Sequence, residues 1–325
     1  MNFKLLILLI LLILLILVYR LLYINTTSKV DKFDDLNNRN HNVSDIINRH
    51  NSFNENTTFD IIYSYTCHEN KECFIDTLKN LFYFNKNQKI CVIVNCNEDI
   101  FNSFKDIDNY PEFKNVILYP EPSMKARMTY TIIEAHLQNF NYCLSNNIKS
   151  KYIILLASNC LFHKVITMSD IDNYIIPSAN LDLSTNQILK DNSEKWHWPV
   201  YLKNIKLIKI LNDNNVNDII GNQHEGMIIE YNIMEKVLTF INTNDIKNNI
   251  EHQTCYEEIL LPTLYKKFTN TNPTHCCKVF WDKPNNIPSL DEIKTCVKHC
   301  VKNIPRHIDD TNRVWIRDTN NNYSL

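Results

Sequence analysis

Four almost uninterrupted apolar runs limit the kind of sheet this chain can build. They are Phe59–Thr66 (FDIIYSYT), Lys89–Cys96 (KICVIVNC), Asn115–Pro120 (NVILYP) and Tyr152–Phe162 (YIILLASNCLF). Segments with helical apolar stripes lie between them: Lys71–Asn85, Asn97–Ile107 and Arg127–Asn147. A strand with one wet face alternates apolar and polar residues, whereas a strand covered on both faces does not. The pattern predicts an α/β domain of Rossmann type, a mostly parallel sheet with helices on both faces. Ligands in such sheets bind at the carboxyl ends of the strands. Those ends are Tyr65-Thr66-Cys67-His68, Asn95-Cys96-Asn97 and Ser158-Asn159-Cys160.

Glycine is almost absent, with only Gly221 and Gly226 among 325 residues. A P-loop, a G-x-G-x-x-G fingerprint and a G-x-S-x-G elbow each need glycines at set spacing, so none is present. The net charge of −2 gives no general attraction to a phosphate backbone, and no nucleic-acid partner is expected. The 48 asparagines are read as codon bias, not as function.

Leu5–Val18 is an unbroken Leu/Ile/Val run, and Tyr19–Ile24 extends it. Twenty helical residues span about 30 Å, the thickness of a hydrocarbon core. No small-residue cleavage site follows, so residues 1–24 are read as an uncleaved signal anchor inserted in the membrane through residues 5–24. Residues 25–57 are polar and lack an apolar period, which suits a stem, and residues 58–325 form the catalytic-size domain. This layout implies a single-pass type II membrane protein of Golgi/ER-type lumenal orientation. Some of the eleven cysteines would then pair as disulfides. The groups His275-Cys276-Cys277 and Cys296-x2-His299-Cys300 offer zinc ligands but lack paired C-x2-C spacing.

The run from Ile61 to Asp99 (IIYSYTCHEN through KICVIVNCNED) resembles the opening of the core-2/I-branching N-acetylglucosaminyltransferase and peptide xylosyltransferase family. Three later stretches resemble further motifs of that family in the same order: YIILLASNCLFHK, GMIIEYNIMEKVL and YEEILLPTL. The chain departs from the family pattern at Asn95, Ser158, Cys160 and Phe162 and around Tyr231-Asn232. The resemblance spans roughly residues 59–268 and implies a GT-A-like fold. It further implies an inverting glycosyltransferase using a nucleotide-sugar, a UDP-sugar being favoured, on a glycan or protein hydroxyl.

Inverting transfer needs a base for the acceptor hydroxyl, and a carboxylate suits that role. The resemblance places Glu258 on the family's catalytic glutamate and Glu257 on its neighbouring aspartate. Read without it, both are solvated acids in the first turn of a helix, where the dipole favours them. The resemblance also implies that basic side chains, not a metal, neutralise the departing diphosphate. Arg306 and Arg313 are the chosen candidates, with Arg317, Lys278 and Lys283 behind them. His68, Asn95, Ser158 and Asn159 at the strand ends are expected to meet the donor. Trp196, Trp198 and Glu225, with Glu257, are expected to meet the acceptor. Glu134 and His136 are read as a solvated helix face.

No metal and no cofactor are expected, since Ser158-Asn159-Cys160 replaces the D-x-D of metal-dependent enzymes. Asp106-Ile-Asp108 and Asp170-Ile-Asp172 have that pattern but read as turns or helix starts. Two alternatives stay open: a non-catalytic carbohydrate-binding or structural protein on the same scaffold, and a metal-dependent GT-A enzyme of another family.

Overall fold

A computed structural model describes residues 58–96, 98–104, 107, 110–120, 131–175, 187–188, 204–216, 218–250, 255–281 and 284–319. All of them belong to the unit Phe53–Leu325. Strands β1 (Thr58–Cys67), β2 (Ile90–Cys96) and β3 (Val116–Pro120) alternate with helices α1 (Lys71–Phe84) and α2 (Glu98–Phe104). Helix α3 (Thr131–Ser145) leads to β4 (Lys149–Ala157), and a turn at Ser158–Cys160 breaks the fourth apolar run before β5 (Leu161–Phe162). Then come α4 (Met168–Ile175), β6 (Gln187–Ile188), α5 (Ile205–Asp213), β7 (Ile220–Gly221), β8 (Met227–Glu230), α6 (Tyr231–Thr243) and α7 (Ile246–Asn249). The last part holds α8 (Leu260–Thr269), β9 (Thr274–His275), β10 (Cys277–Lys278), α9 (Leu290–Thr295), β11 (Cys300–Val301) and α10 (Thr311–Thr319).

The main sheet has the order β3-β2-β1-β4-β8-β9. The first four strands are parallel neighbours. β8 runs antiparallel to β4, and β9 antiparallel to β8. Two apolar layers explain why β1, β2 and β4 read as continuous hydrophobic runs. Tyr63, Tyr65, Val92, Val94, Ile154 and Leu156 pack under α1 and α10 on one face. Ile62, Ile93, Ile153 and Leu155 pack under α3, α6 and α8 on the other. Burying one such side chain contributes about 1.5–3 kcal/mol, so the central strands hold both layers together.

Scarce glycine leaves the left-handed turn positions to other residues. Asn147, Asn215, Asn270, Asn285, Asn286 and Asn303 have positive φ, as does Asp245. Asn tolerates this region better than other side chains because its short amide bonds the local backbone. Asn270 closes α8 in this way, at φ 64°. Part of the asparagine excess therefore has a structural use.

Three expectations are corrected here. No helix among the described residues is long and apolar enough to cross a membrane, which goes against the expected transmembrane helix and type II, lumenal placement. Residues 1–57, which carried that reading and the stem, lie outside the described residues. All eleven cysteines are free and buried, so the expected disulfides are not formed. The helix expected to hold Glu257 and Glu258 in its first turn begins at Leu260, after a single 3-10 turn at Tyr256–Glu258.

Candidate active site

The chain runs from β1 outward to β2 and β3, then returns to place β4 on the other side of β1. In such sheets the crevice lies where the strand order reverses, between the carboxyl ends of β1 and β4. The residues at that point are Cys67-His68-Glu69 and Ser158-Asn159-Cys160. Arg306 spans it. Its Nη2 donates to Ser158 Oγ at 3.1 Å, and its Nε lies 3.6 Å from Glu69 Oε1. The Arg306 side chain keeps 32% exposure, whereas Glu69 has none. Ile304 N–H donates to Asn159 O at 3.2 Å and Asn159 Nδ2 to Asn303 Oδ1 at 3.0 Å, which holds the Arg306 segment at the end of β4.

Behind Arg306 lies a buried ion-pair network. Arg313 Nη1 donates to Asp76 Oδ2 at 2.7 Å, and its Nη2 lies 3.7 Å from Glu69 Oε2. Arg317 reaches the same Asp76 at 3.4 Å. Arg313 is fully buried, so its expected contact with a donor is corrected: the guanidinium anchors α10 to α1 instead. Burial pushes the Glu69 carboxyl up to about 7, against the pull of Arg313 and Arg306.

The reversal of β8 assembles the acidic half of the site. Because β8 is antiparallel to β4, the residues that precede it emerge at the carboxyl end of β4. Gly226 N–H donates to Leu155 O at 2.7 Å, which sets His224 and Glu225 beyond that point. Glu225 is buried and ion-paired with Lys302. Burial acts to raise the Glu225 carboxyl, but His224 and the Lys302 ammonium hold it down to about 2. His224 Nδ1 lies 3.6 Å from Glu225 Oε1, and its ring is tilted at 59° to that of His136, with centroids 5.5 Å apart. Neither ring nitrogen of His224 has a hydrogen-bond partner among the described residues.

Glu257 and Glu258 join this cluster through the segment that leads to Glu225. Asn222 N–H donates to Glu258 O at 2.8 Å, and Thr263 Oγ1 accepts from Ile220 N–H at 2.9 Å. The charge of Glu258 acts on Lys302, and that of Glu225 on Glu257. Both carboxyls are buried, at 1% and 5% exposure, so the solvated reading fails. Burial first, and the Glu258 charge second, hold the Glu257 carboxyl well above the usual carboxylate range. Glu257 is thus suited to donate a hydrogen bond, not to take a proton.

The remaining expected site residues divide. His68 is exposed at the end of β1. Asn95 is buried on the α3 side of the sheet, its Nδ2 donating to Gln138 Oε1 at 3.4 Å. Trp196, Trp198 and Lys283 lie outside the described residues, as do Asp106 and Asp108. Asp170 caps α4 by accepting from Thr167 N–H at 2.8 Å, while Asp172 accepts from Lys151 at 2.8 Å and Tyr152 at 2.7 Å. The two therefore face different partners. His136 is not solvated: it is fully buried, with Nδ1 2.8 Å from Ser64 Oγ. Burial, then the charge of His224, holds its ring well below the ordinary histidine range. Lys302, Glu69 and His136 carry no motif, and only their partners mark them.

The zinc groups read from sequence do not assemble. His275 Nε2 is 2.7 Å from Gln223 O, and His299 Nδ1 is 2.9 Å from Tyr174 Oη. One cysteine from each group, Cys277 and Cys300, instead meets Cys160, with all three Sγ atoms within 4.8 Å of one another. Burial acts to raise the Cys160 thiol, but the thiols of Cys277 and Cys300 and the Lys302 charge draw it well below its ordinary value.

No family model matches this chain, and no curated protein does. Among solved structures it is similar to the apo-form glycosyltransferase GlyE of Streptococcus pneumoniae TIGR4, at 10% sequence identity and a TM-score of 0.37. The match covers 80% of this chain and 60% of that one, so this chain spans less than two thirds of its neighbour's length.

Proposed function

We propose that this chain is an inverting glycosyltransferase that moves a sugar from a nucleotide-sugar, a UDP-sugar in the first instance, to a hydroxyl of a glycan or protein. The observation that carries this reading is Arg306, a partly exposed guanidinium across the switch point between β1 and β4. A planar fork of donors suits a diphosphate, and the crevice at reversed strand order is where a nucleotide would lie. The resemblance of the four sequence motifs supports the same reading. In it, the acceptor oxygen attacks the anomeric carbon, the bond to the diphosphate breaks, and Glu258 takes the hydroxyl proton. Arg306 meets the negative charge left on the diphosphate. The strand end offers a hydroxyl and an amide, Ser158 and Asn159, and no carboxylate pair for a hard cation. Transfer is therefore proposed to need no divalent metal.

Thermal stabilisation by a panel of UDP-sugars tests the donor, since a ligand that binds the native state raises its melting temperature. We expect stabilisation in the wild type, its loss in Arg306→Ala, and turnover that survives EDTA. Stabilisation without turnover on any acceptor would favour a carbohydrate-binding protein on the same scaffold. EDTA-sensitive turnover would reject the metal-free mechanism.

A further inference from the structure

Cys160, Cys277 and Cys300 come from three separate segments. Cys160 ends the turn after β4, its N–H donating to Ala157 O at 3.1 Å. Cys277 and Cys300 are direct partners in β10 and β11, and Cys300 also pairs with Phe162 of β5. The three are at most 2% exposed. We propose that they form a binding site for one soft d10 metal ion, Zn2+ or Cu+, held by three sulfurs.

Sulfurs bound to such an ion at about 2.3 Å stand about 3.8 Å apart. The three Sγ atoms, within 4.8 Å of one another, reach that spacing with movements of about 1 Å. Thiolates select soft ions over hard ones. Each metal–sulfur bond that forms on a protonated thiol replaces its S–H bond, and the proton leaves to the buffer. A disulfide would join only two of the sulfurs, strand the third in the core, and require an oxidant that the site does not hold. The ion would also pin the proposed active site. Cys160 follows Ser158-Asn159, Cys277 abuts Gly226 beside Glu225, and Cys300 precedes Lys302 by two residues. The inference does not depend on the glycosyl-transfer reading.

The test uses the full chain, purified with reductant, loaded anaerobically with Zn2+ in one arm and Cu+ in the other, and desalted. Elemental analysis should find about one ion per chain in one arm, and X-ray absorption should find three sulfur neighbours at about 2.3 Å. Retention should fall at least about tenfold in Cys160→Ser and Cys300→Ser. It should persist in Cys296→Ser, which lies outside the trio. If the serine variants do not fold, the sulfur count on the wild type decides alone. No retained ion in either arm, one or no sulfur neighbours, or equal retention in Cys160→Ser would overturn the site. So would an intact mass that shows a disulfide among these residues in protein that binds no metal.

Discussion

Gly226 and Cys277 are packed backbone to backbone. A Cβ built on Gly226 would stand 2.4 Å from the Cβ of Cys277 and 2.5 Å from its backbone nitrogen, closer than real Cβ atoms come. Gly226 also has a φ of 74°, where a side chain is strained. One of the chain's two glycines thus lies where β8 meets the β10 segment, between Glu225 and the thiols. Gly226→Ala should cost about 2 kcal/mol or more, from overpacking and the left-handed backbone together. Chemical denaturation checks this. Gly221→Ala, at a φ outside the left-handed region, should cost less, and equal costs would refute the close-approach argument.

Glu258→Gln should lower turnover by about 10²–10⁴, because the amide keeps the shape but takes no proton. Donor-induced stabilisation should be unchanged. Glu257→Gln should do much less, since burial raises that carboxyl well above the usual carboxylate range and so favours its protonated form. Wild-type turnover in Glu258→Gln would remove the residue from the mechanism.

Lys302 and Glu225 form a buried pair, and a buried charge without its partner is costly. Lys302→Met should destabilise by about 3–5 kcal/mol, and adding Glu225→Gln should recover part of the loss. A double-mutant cycle in urea measures the coupling. Additive effects of the two substitutions would show that the pair contributes nothing as a pair.

Glu69 makes stability depend on pH. Its carboxyl rises from its ordinary 4.5 to about 7 in the fold. Between those values the folded state keeps a proton that the unfolded chain has released, so stability falls as pH rises through them. The effect is about 3 kcal/mol at most. His163, held down to about 4 by burial and then by Lys164, acts in the opposite sense, so the difference between wild type and Glu69→Gln is the quantity to read. Melting temperatures from pH 4.5 to 8 should fall more steeply in the wild type. Parallel curves would exclude Glu69 as the source.

The sheet was legible along the chain because a doubly covered strand needs apolar side chains on both faces, and β1, β2 and β4 carry them without a break. The carboxyl ends of those strands, with Ser158 and Asn159, followed from the same pattern. Glu258 was reached through the motif resemblance, but its neighbourhood was not, because nothing local indicates that β8 reverses direction. That reversal carries Glu225 to the end of β4, and the return of the chain through β10 and β11 adds Lys302 and two of the three thiols. Arg306 and Arg313 look alike in sequence. Packing separates them: one keeps a partly wet guanidinium over the crevice, while the other is sealed against Asp76. His136 shows the same limit, since helical spacing put it on a wet face and the approach of Ser64 and His224 buried it. Local sequence sets periodicity, turn chemistry and capping, each of which acts over a few residues. The pairing of charges and sulfurs from separate segments of the chain depends on strand order and direction, which only the assembled core decides.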